Sequence, residues 1–143
     1  MKILAVDYGD SRTGLAVCDP GEVLATPLKP QIEEKAMAKV AARVCEAAKE
    51  HRAELIVVGL PRNMDGTEGA RAKKSRKMAE LVTEMSGLPV RMWDERQTTI
   101  TAAGFLSESG TFGKKRKAIL DAVSASVILE NYLAWRKHHP GEV

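Results

Sequence analysis

Six aromatic side chains in 143 residues, two each of Phe, Trp and Tyr, leave the core to be built mostly from Val, Ile, Leu, Ala and Met. Two cysteines, Cys18 and Cys45, are too few for a disulfide framework. Both sit among apolar neighbours, which predicts reduced, buried thiols and a cytoplasmic protein. No apolar run approaches the roughly 18–20 residues of a membrane span, which argues against a membrane protein. The opening stretch Met1–Val6 is too short for a signal peptide and meets a carboxylate at Asp7. His51, His138 and His139 have no metal-ligand spacing, and none neighbours a candidate nucleophile. The serines lack a nucleophile-elbow context, which argues against acyl-enzyme chemistry.

What is present is an ordinary globular composition. Hydrophobic residues at 44% and charged residues at 29% exclude a disordered or fibrous chain. The length predicts one domain over residues 1–137, followed by a short polar tail over 138–143. The net charge of +3 is mild, but its distribution is not. Arg71, Lys73, Lys74, Arg76 and Lys77 fall within seven residues, and Lys114, Lys115, Arg116 and Lys117 are consecutive. Two such patches on a nearly balanced chain suit a polyanionic partner, although a solvated surface would look the same.

Two short apolar runs, Lys2–Asp7 and Thr13–Cys18, flank turn-forming residues and predict a β-hairpin. A third strand is expected over Val23–Thr26. Helical spacing of Met37, Val40, Ala41, Val44, Ala47 and Ala48 predicts an amphipathic helix through about His51. Leu55–Gly59, apolar on both faces, suits a central strand. A second helix follows with Met78, Leu81, Val82 and Met85 as its core stripe. Arg71 and Lys74 fall on the same face one turn earlier, so the front of this helix is expected to project beyond the core. Val90–Trp93 predicts a strand, Thr98 the start of a helix, Ser107–Lys117 a mobile loop and Ile119–Leu133 a final buried helix. This order predicts an α/β layer fold whose sheet begins with a hairpin and grows through helical crossovers.

In such a sheet ligands gather beyond the carboxyl ends of the parallel strands. Asp7 ends the first predicted strand, Asp94 and Glu95 end the strand begun at Val90, and Asp121 lies in the first turn of the last predicted helix. Acidic groups converging from distant segments repel one another unless a cation sits between them. Oxygen-only ligands favour Mg²⁺ or Mn²⁺ over zinc, and one or two such ions suit phosphodiester cleavage. Each carboxylate has a duller reading: Asp7 as a turn opener, Asp121 as a complement to a helix dipole, and Asp94-Glu95-Arg96 as a surface cluster. Trp93 suits base stacking, but a single Trp at a strand end is more often core.

The loop Gly59–Gly69 is the most unusual stretch. Its three glycines, Gly59, Gly66 and Gly69, allow close backbone approach to a ligand, and Thr67 or Glu68 suits the start of the next helix. A helix N-terminus there, continued by Arg71, Lys74 and Lys77, would offer a positive surface to phosphate. Asp65 and Glu68 are further candidate metal or water ligands. The plainer reading is a strand-to-helix connection that turns at Asp65-Gly66.

Four segments together resemble the YqgF/RuvX family of RNase H-like proteins, which are assigned to pre-16S rRNA processing or Holliday junction resolution. They are Ile3–Gly9 with Arg12–Ala16, Val58–Gly69, Trp93–Thr99, and Asp121–Leu129. They follow the family's order and cover essentially the whole chain. A small departure is Ser124-Ala125, where the family usually has paired small apolar residues. The resemblance implies an RNase H-like, five-stranded mixed sheet flanked by helices: antiparallel over its first three strands, then parallel. It implies Asp7, Asp94 with Glu95 in reserve, and Asp121 as the catalytic and Mg²⁺- or Mn²⁺-binding set. It also implies Arg62, Asn63, Arg96 and the basic residues of 71–77 and 114–117 as phosphate contacts.

The expected activity is therefore hydrolysis of structured nucleic acid, with pre-16S rRNA favoured and branched DNA second. The expected oligomeric state is a monomer or weak homodimer, because no dimer seam stands out and junction resolution ordinarily needs a symmetric pair of sites. A non-catalytic nucleic-acid-binding module is a third reading. An actin-like or sugar-kinase phosphotransferase is a fourth, disfavoured because such enzymes close two domains of this kind around ATP.

Overall fold

The computed structural model describes residues 1–29, 31–63, 65–94 and 113–142, with the backbone alone for 113–122. Its elements are β1 (Ile3–Asp7), β2 (Gly14–Cys18), β3 (Ala25–Pro27), α1 (Met37–Glu50), β4 (Leu55–Leu60), α2 (Ala70–Ser86), β5 (Val90–Asp94) and α3 (Gly113–His138). The five strands form one sheet in the order β3-β2-β1-β4-β5. The first three pair antiparallel, and β4 and β5 join in parallel. This is the expected topology. The helix expected from Thr98 lies outside the described residues.

Strand alternation divides the core in two. Leu4, Val6, Val17, Ile56 and Val58 face α1 and α2. Ile3, Ala5, Ala16, Leu55 and Val57 face Ala125, Ile128, Leu129 and Tyr132 of α3. All six residues of β4 are buried, as its apolar run requires of a strand covered on both faces. Both cysteines are free thiols, but of the two expected to be buried only Cys18 is, while Cys45 is half-buried.

Three local expectations need correction. The third strand begins at Ala25 rather than Val23. The carboxylate of Asp19 accepts N–H bonds from Gly21, Val23 and Leu24 at 3.1, 2.8 and 2.7 Å. That closes a turn in which Glu22 has φ +56°, and Val23 and Leu24 stand exposed at its tip. Those backbone hydrogen bonds also hold the Asp19 carboxyl below its ordinary range.

The front of α2 does not leave the core. Ala72 and Ser75 carry its buried stripe forward from Met78, Ala79 and Val82, while Met85 is exposed. Small side chains at three- and four-residue spacing let the helix stay against the sheet while Arg71 and Lys74 point outward.

The last helix is longer than expected. It begins at Gly113 and ends at His138, so residues 113–117 belong to it rather than to a loop. Asp121 is thus eight residues into the helix, beyond the first turn where a carboxylate complements the dipole. At the other end, Arg136 donates Nη1 to the Glu142 carbonyl at 2.7 Å.

Candidate active site

The site is built at the carboxyl edge of the parallel strands. Asp7 ends β1 and pairs with Gly14 of β2. Continuing the parallel register of β1 and β4 by one residue sets Asp7 level with Gly59. Alternation from Ile3 and Ala5 puts Asp7 on the face covered by α3. Gly14 and Gly59 share that face and carry no side chain. The flanking strands therefore present only backbone beside Asp7. The chain turns sharply behind it. A Cβ on Gly9 would lie 2.3 Å from the Arg12 carbonyl oxygen, so only glycine fits there.

Asp94 ends β5 opposite Leu60. It reaches the same edge as Asp7 but stands on the other face: Met92 packs against the α1/α2 core and Trp93 against the α3 core. Asp94 follows Met92 in the alternation. Its carboxylate meets Arg62, with Nη1 and Oδ2 3.9 Å apart. Glu95 and Arg96 lie outside the described residues. Asp121 lies in α3, four residues before the buried Ala125, and its side chain lies outside the described set. Among the described residues no three His, Cys, Asp or Glu side chains converge as a metal cluster.

Trp93 is a core residue, as its commoner reading holds. Its ring meets Tyr132 edge-on at 5.7 Å and Trp135 at 6.4 Å, and Trp135 stacks on His139 at 4.5 Å. Much of the chain's small aromatic content thus fastens β5 to α3.

The loop between β4 and α2 folds on itself. Arg62 and Glu68 form an antiparallel bridge, and the Asn63 N–H donates to the Thr67 carbonyl at 2.9 Å. Asp65 Oδ1 accepts from the Thr67 N–H and hydroxyl at 2.9 and 2.6 Å, and Gly66 turns the chain at φ +90°. The plainer reading of Asp65-Gly66 as a turn is correct, and it employs the Asp65 carboxylate internally.

Neither Thr67 nor Glu68 caps α2: the cap is Gly69, with no side-chain hydrogen bond. Glu68 instead holds Arg76 in a two-pronged contact at 2.6 and 2.7 Å and lies 3.5 Å from Arg62 Nη2. The Arg76 guanidinium holds the Glu68 carboxyl below the usual carboxylate range. Glu68, a candidate metal or water ligand, is here the partner of two arginines.

The basic segment is partly neutralised within the fold. Lys74 pairs with Asp10 at 3.1 Å and Arg76 with Glu68. Arg71, Lys73 and Lys77 are exposed on the outer face of α2, as is Asn63 at the loop. The side chains of Lys114, Lys115, Arg116 and Lys117 lie outside the described set. The clasp and the Lys74–Asp10 pair carry no sequence signal, since Glu68 and Arg76 are eight residues apart and Asp10 and Lys74 are 64 apart.

Known proteins fit this description. A relative from Rhodopirellula baltica, described as "Putative pre-16S rRNA nuclease", is 42% identical over 92% of this chain and 76% of its own length. One of the same description from Listeria monocytogenes serotype 4b is 40% identical over 93% and 97%. Among solved structures, Thermus thermophilus RuvC in complex with a Holliday junction substrate superposes with a TM-score of 0.62. It covers 96% of both chains at 16% identity, a likeness of fold. Residues 1–135 match the family model of RuvX, described as Holliday junction resolvase, and this chain belongs to that family.

Proposed function

We propose that this chain is a nuclease that hydrolyses phosphodiester bonds in structured nucleic acid with the help of Mg²⁺ or Mn²⁺, and that its substrate is the 5′ region of pre-16S rRNA. The observation that carries the reading is the setting of Asp7. A carboxylate stands at the carboxyl end of a central strand, on a face where the flanking strands present only Gly14 and Gly59. The pre-rRNA substrate is taken from the description shared by relatives at about 40% identity.

The donors fit a hard cation. Asp7, the Asp94-Glu95 pair and Asp121 offer only carboxylate oxygens, the ligand type of Mg²⁺ and Mn²⁺. Such a cation, if held there, would supply an activated water and charge stabilisation for the departing oxygen. Asp7 would hold it from the centre of the sheet. Within the Asp94-Glu95 pair, Asp94 follows Met92 onto the far face and meets Arg62. With Asp94 on the far face, its neighbour in sequence, Glu95, is our choice of principal second ligand. Arg71, Lys73 and Lys77 hold phosphates and set position rather than sequence. No described helix is long and apolar enough to cross a membrane, and we place the protein in the cytoplasm.

The family description supports branched DNA as the second substrate. Symmetric cleavage of a junction needs two sites about a two-fold axis, whereas RNA trimming does not, and we propose a monomer or weak dimer. The test is incubation of purified protein with a 16S precursor and with a four-way junction, each with Mn²⁺ and with EDTA. Mn²⁺-dependent shortening of the precursor is expected. Cleavage of the junction alone would transfer the activity to DNA, and no cleavage of either would refute the nuclease reading.

A further inference from the structure

The clasp at the carboxyl edge joins three elements through charged side chains, beyond the apolar packing of α2 against β4 and β5. Arg62 comes from the loop after β4, Asp94 from the end of β5 and Arg76 from the second turn of α2. Glu68 lies at their centre. Its Oε2 contacts both guanidiniums, at 2.7 Å from Arg76 Nη2 and 3.5 Å from Arg62 Nη2, and Arg62 continues to Asp94 at 3.9 Å. The side chains are about one-third exposed for Arg62 and Asp94 and one-quarter for Glu68, so the chain of charges lies at the rim, within reach of a polyanion. Arg62 Nε is buried and has no hydrogen-bond partner among the described residues. The guanidinium is thus held there by its outer nitrogens, between two carboxylates.

Two guanidiniums and two carboxylates balance, so a segment rich in arginine contributes little net attraction for phosphate. Carboxylates that restrain arginines beside a substrate path weaken binding, and they persist where they fix geometry instead. The geometry at stake is the end of β5, which leads directly into Glu95. Groups that orient a ligand-bearing segment without touching the reacting atoms ordinarily matter about 10–100-fold for activity.

We infer that Glu68 and Arg62 are positioning residues of the cleavage site. Glu68 holds Arg62 against Asp94 and Arg76 on α2, which fixes the end of β5 and keeps both guanidiniums off the substrate backbone. This inference rests on the nuclease reading above.

The two substitutions that test it move binding and turnover differently. In Glu68→Gln, kcat falls about tenfold while binding in EDTA tightens. The salt dependence of that binding steepens by about 0.7–0.9 in log K per log salt for each additional phosphate that a released arginine engages. Arg62→Lys keeps the charge but cannot span both carboxylates, so kcat falls and the salt slope stays unchanged. Rapid-quench turnover with Mn²⁺ and filter binding in EDTA on the 16S precursor supply both readouts, with far-UV circular dichroism to check folding.

Unchanged kcat in Glu68→Gln, or weakened binding with an unchanged slope, would overturn the assignment. If Glu68→Gln fails to fold, Arg62→Lys decides, and wild-type turnover there is equally fatal. Failure of the nuclease reading shows itself separately, as no Mn²⁺-dependent cleavage by the unsubstituted protein, and the positioning role falls with it.

Discussion

Asp7 and Trp93 stand on the same face of the sheet, two strands apart, while Asp94 stands on the other. The ring of Trp93 is fixed edge-on against Tyr132, so packing against α3 holds the end of β5.

The two neighbouring carboxylates Asp94 and Glu95 are distinguished by experiment. Glu95→Gln is expected to lower Mn²⁺-dependent cleavage at least about a hundredfold, as loss of a metal ligand would. Asp94→Asn, which removes a partner of Arg62, is expected to cost nearer tenfold. Single-turnover rates compare the two directly, and the reverse ranking would return the ligand role to Asp94.

The basic face of α2 is expected to act unevenly. Lys73→Ala and Lys77→Ala each remove an exposed cation and should flatten the salt slope of RNA binding by about 0.7–0.9. Lys74→Ala removes a cation already paired with Asp10 and should change it less. Equal effects at all three positions would show that the pairing in the fold does not persist against nucleic acid.

A separate acid-sensitive clasp lies at the other end of α3. Arg136 and the amino terminus hold Glu22, and the Arg136 hydrogen bond keeps the Glu22 carboxyl below its ordinary value of 4.5. A lowered folded-state pKa gives stability that is complete above the ordinary value and is lost as pH falls through the lowered one. Glu22→Gln should therefore cost about 1–2 kcal/mol at pH 7. The gap from wild type should narrow below about pH 4.5 in chemical denaturation. A gap that does not change with acid would contradict the pairing.

The turn behind Asp7 makes a backbone prediction. Gly9→Ala drives a methyl group into the Arg12 carbonyl and should destabilise the fold by about 1–3 kcal/mol. Thermal melting measures it, and an unchanged midpoint would mean the turn relaxes without cost.

Much of this architecture is legible in the chain. The continuous apolar run Leu55–Leu60 can only be a strand covered on both faces, and the short turn at Tyr8–Arg12 can only join antiparallel neighbours. Those two features order the sheet and bring Asp7 and Asp94 to one edge. What is not legible depends on partners distant in sequence or on competition among backbone donors. Asp19 outcompetes the strand for the N–H groups of Val23 and Leu24. The stripe of α2 is carried by Ala72 and Ser75, which hydropathy passes over. The early start of α3 runs through four consecutive cations that a helix dipole disfavours at that end. In the site itself, alternation counted along β5 separates Asp94 from Asp7, while the clasp at Glu68 emerges only once loop, strand and helix are assembled.

Cleavage depends on the carboxylate of Asp7, which Asp7→Asn removes while keeping the side chain's shape. With a 16S precursor and Mn²⁺, cleavage by this variant is expected to fall at least about a hundredfold, while binding measured in EDTA stays within about twofold of wild type, because phosphate contacts lie elsewhere. Cleavage at the wild-type rate would contradict the account at its centre.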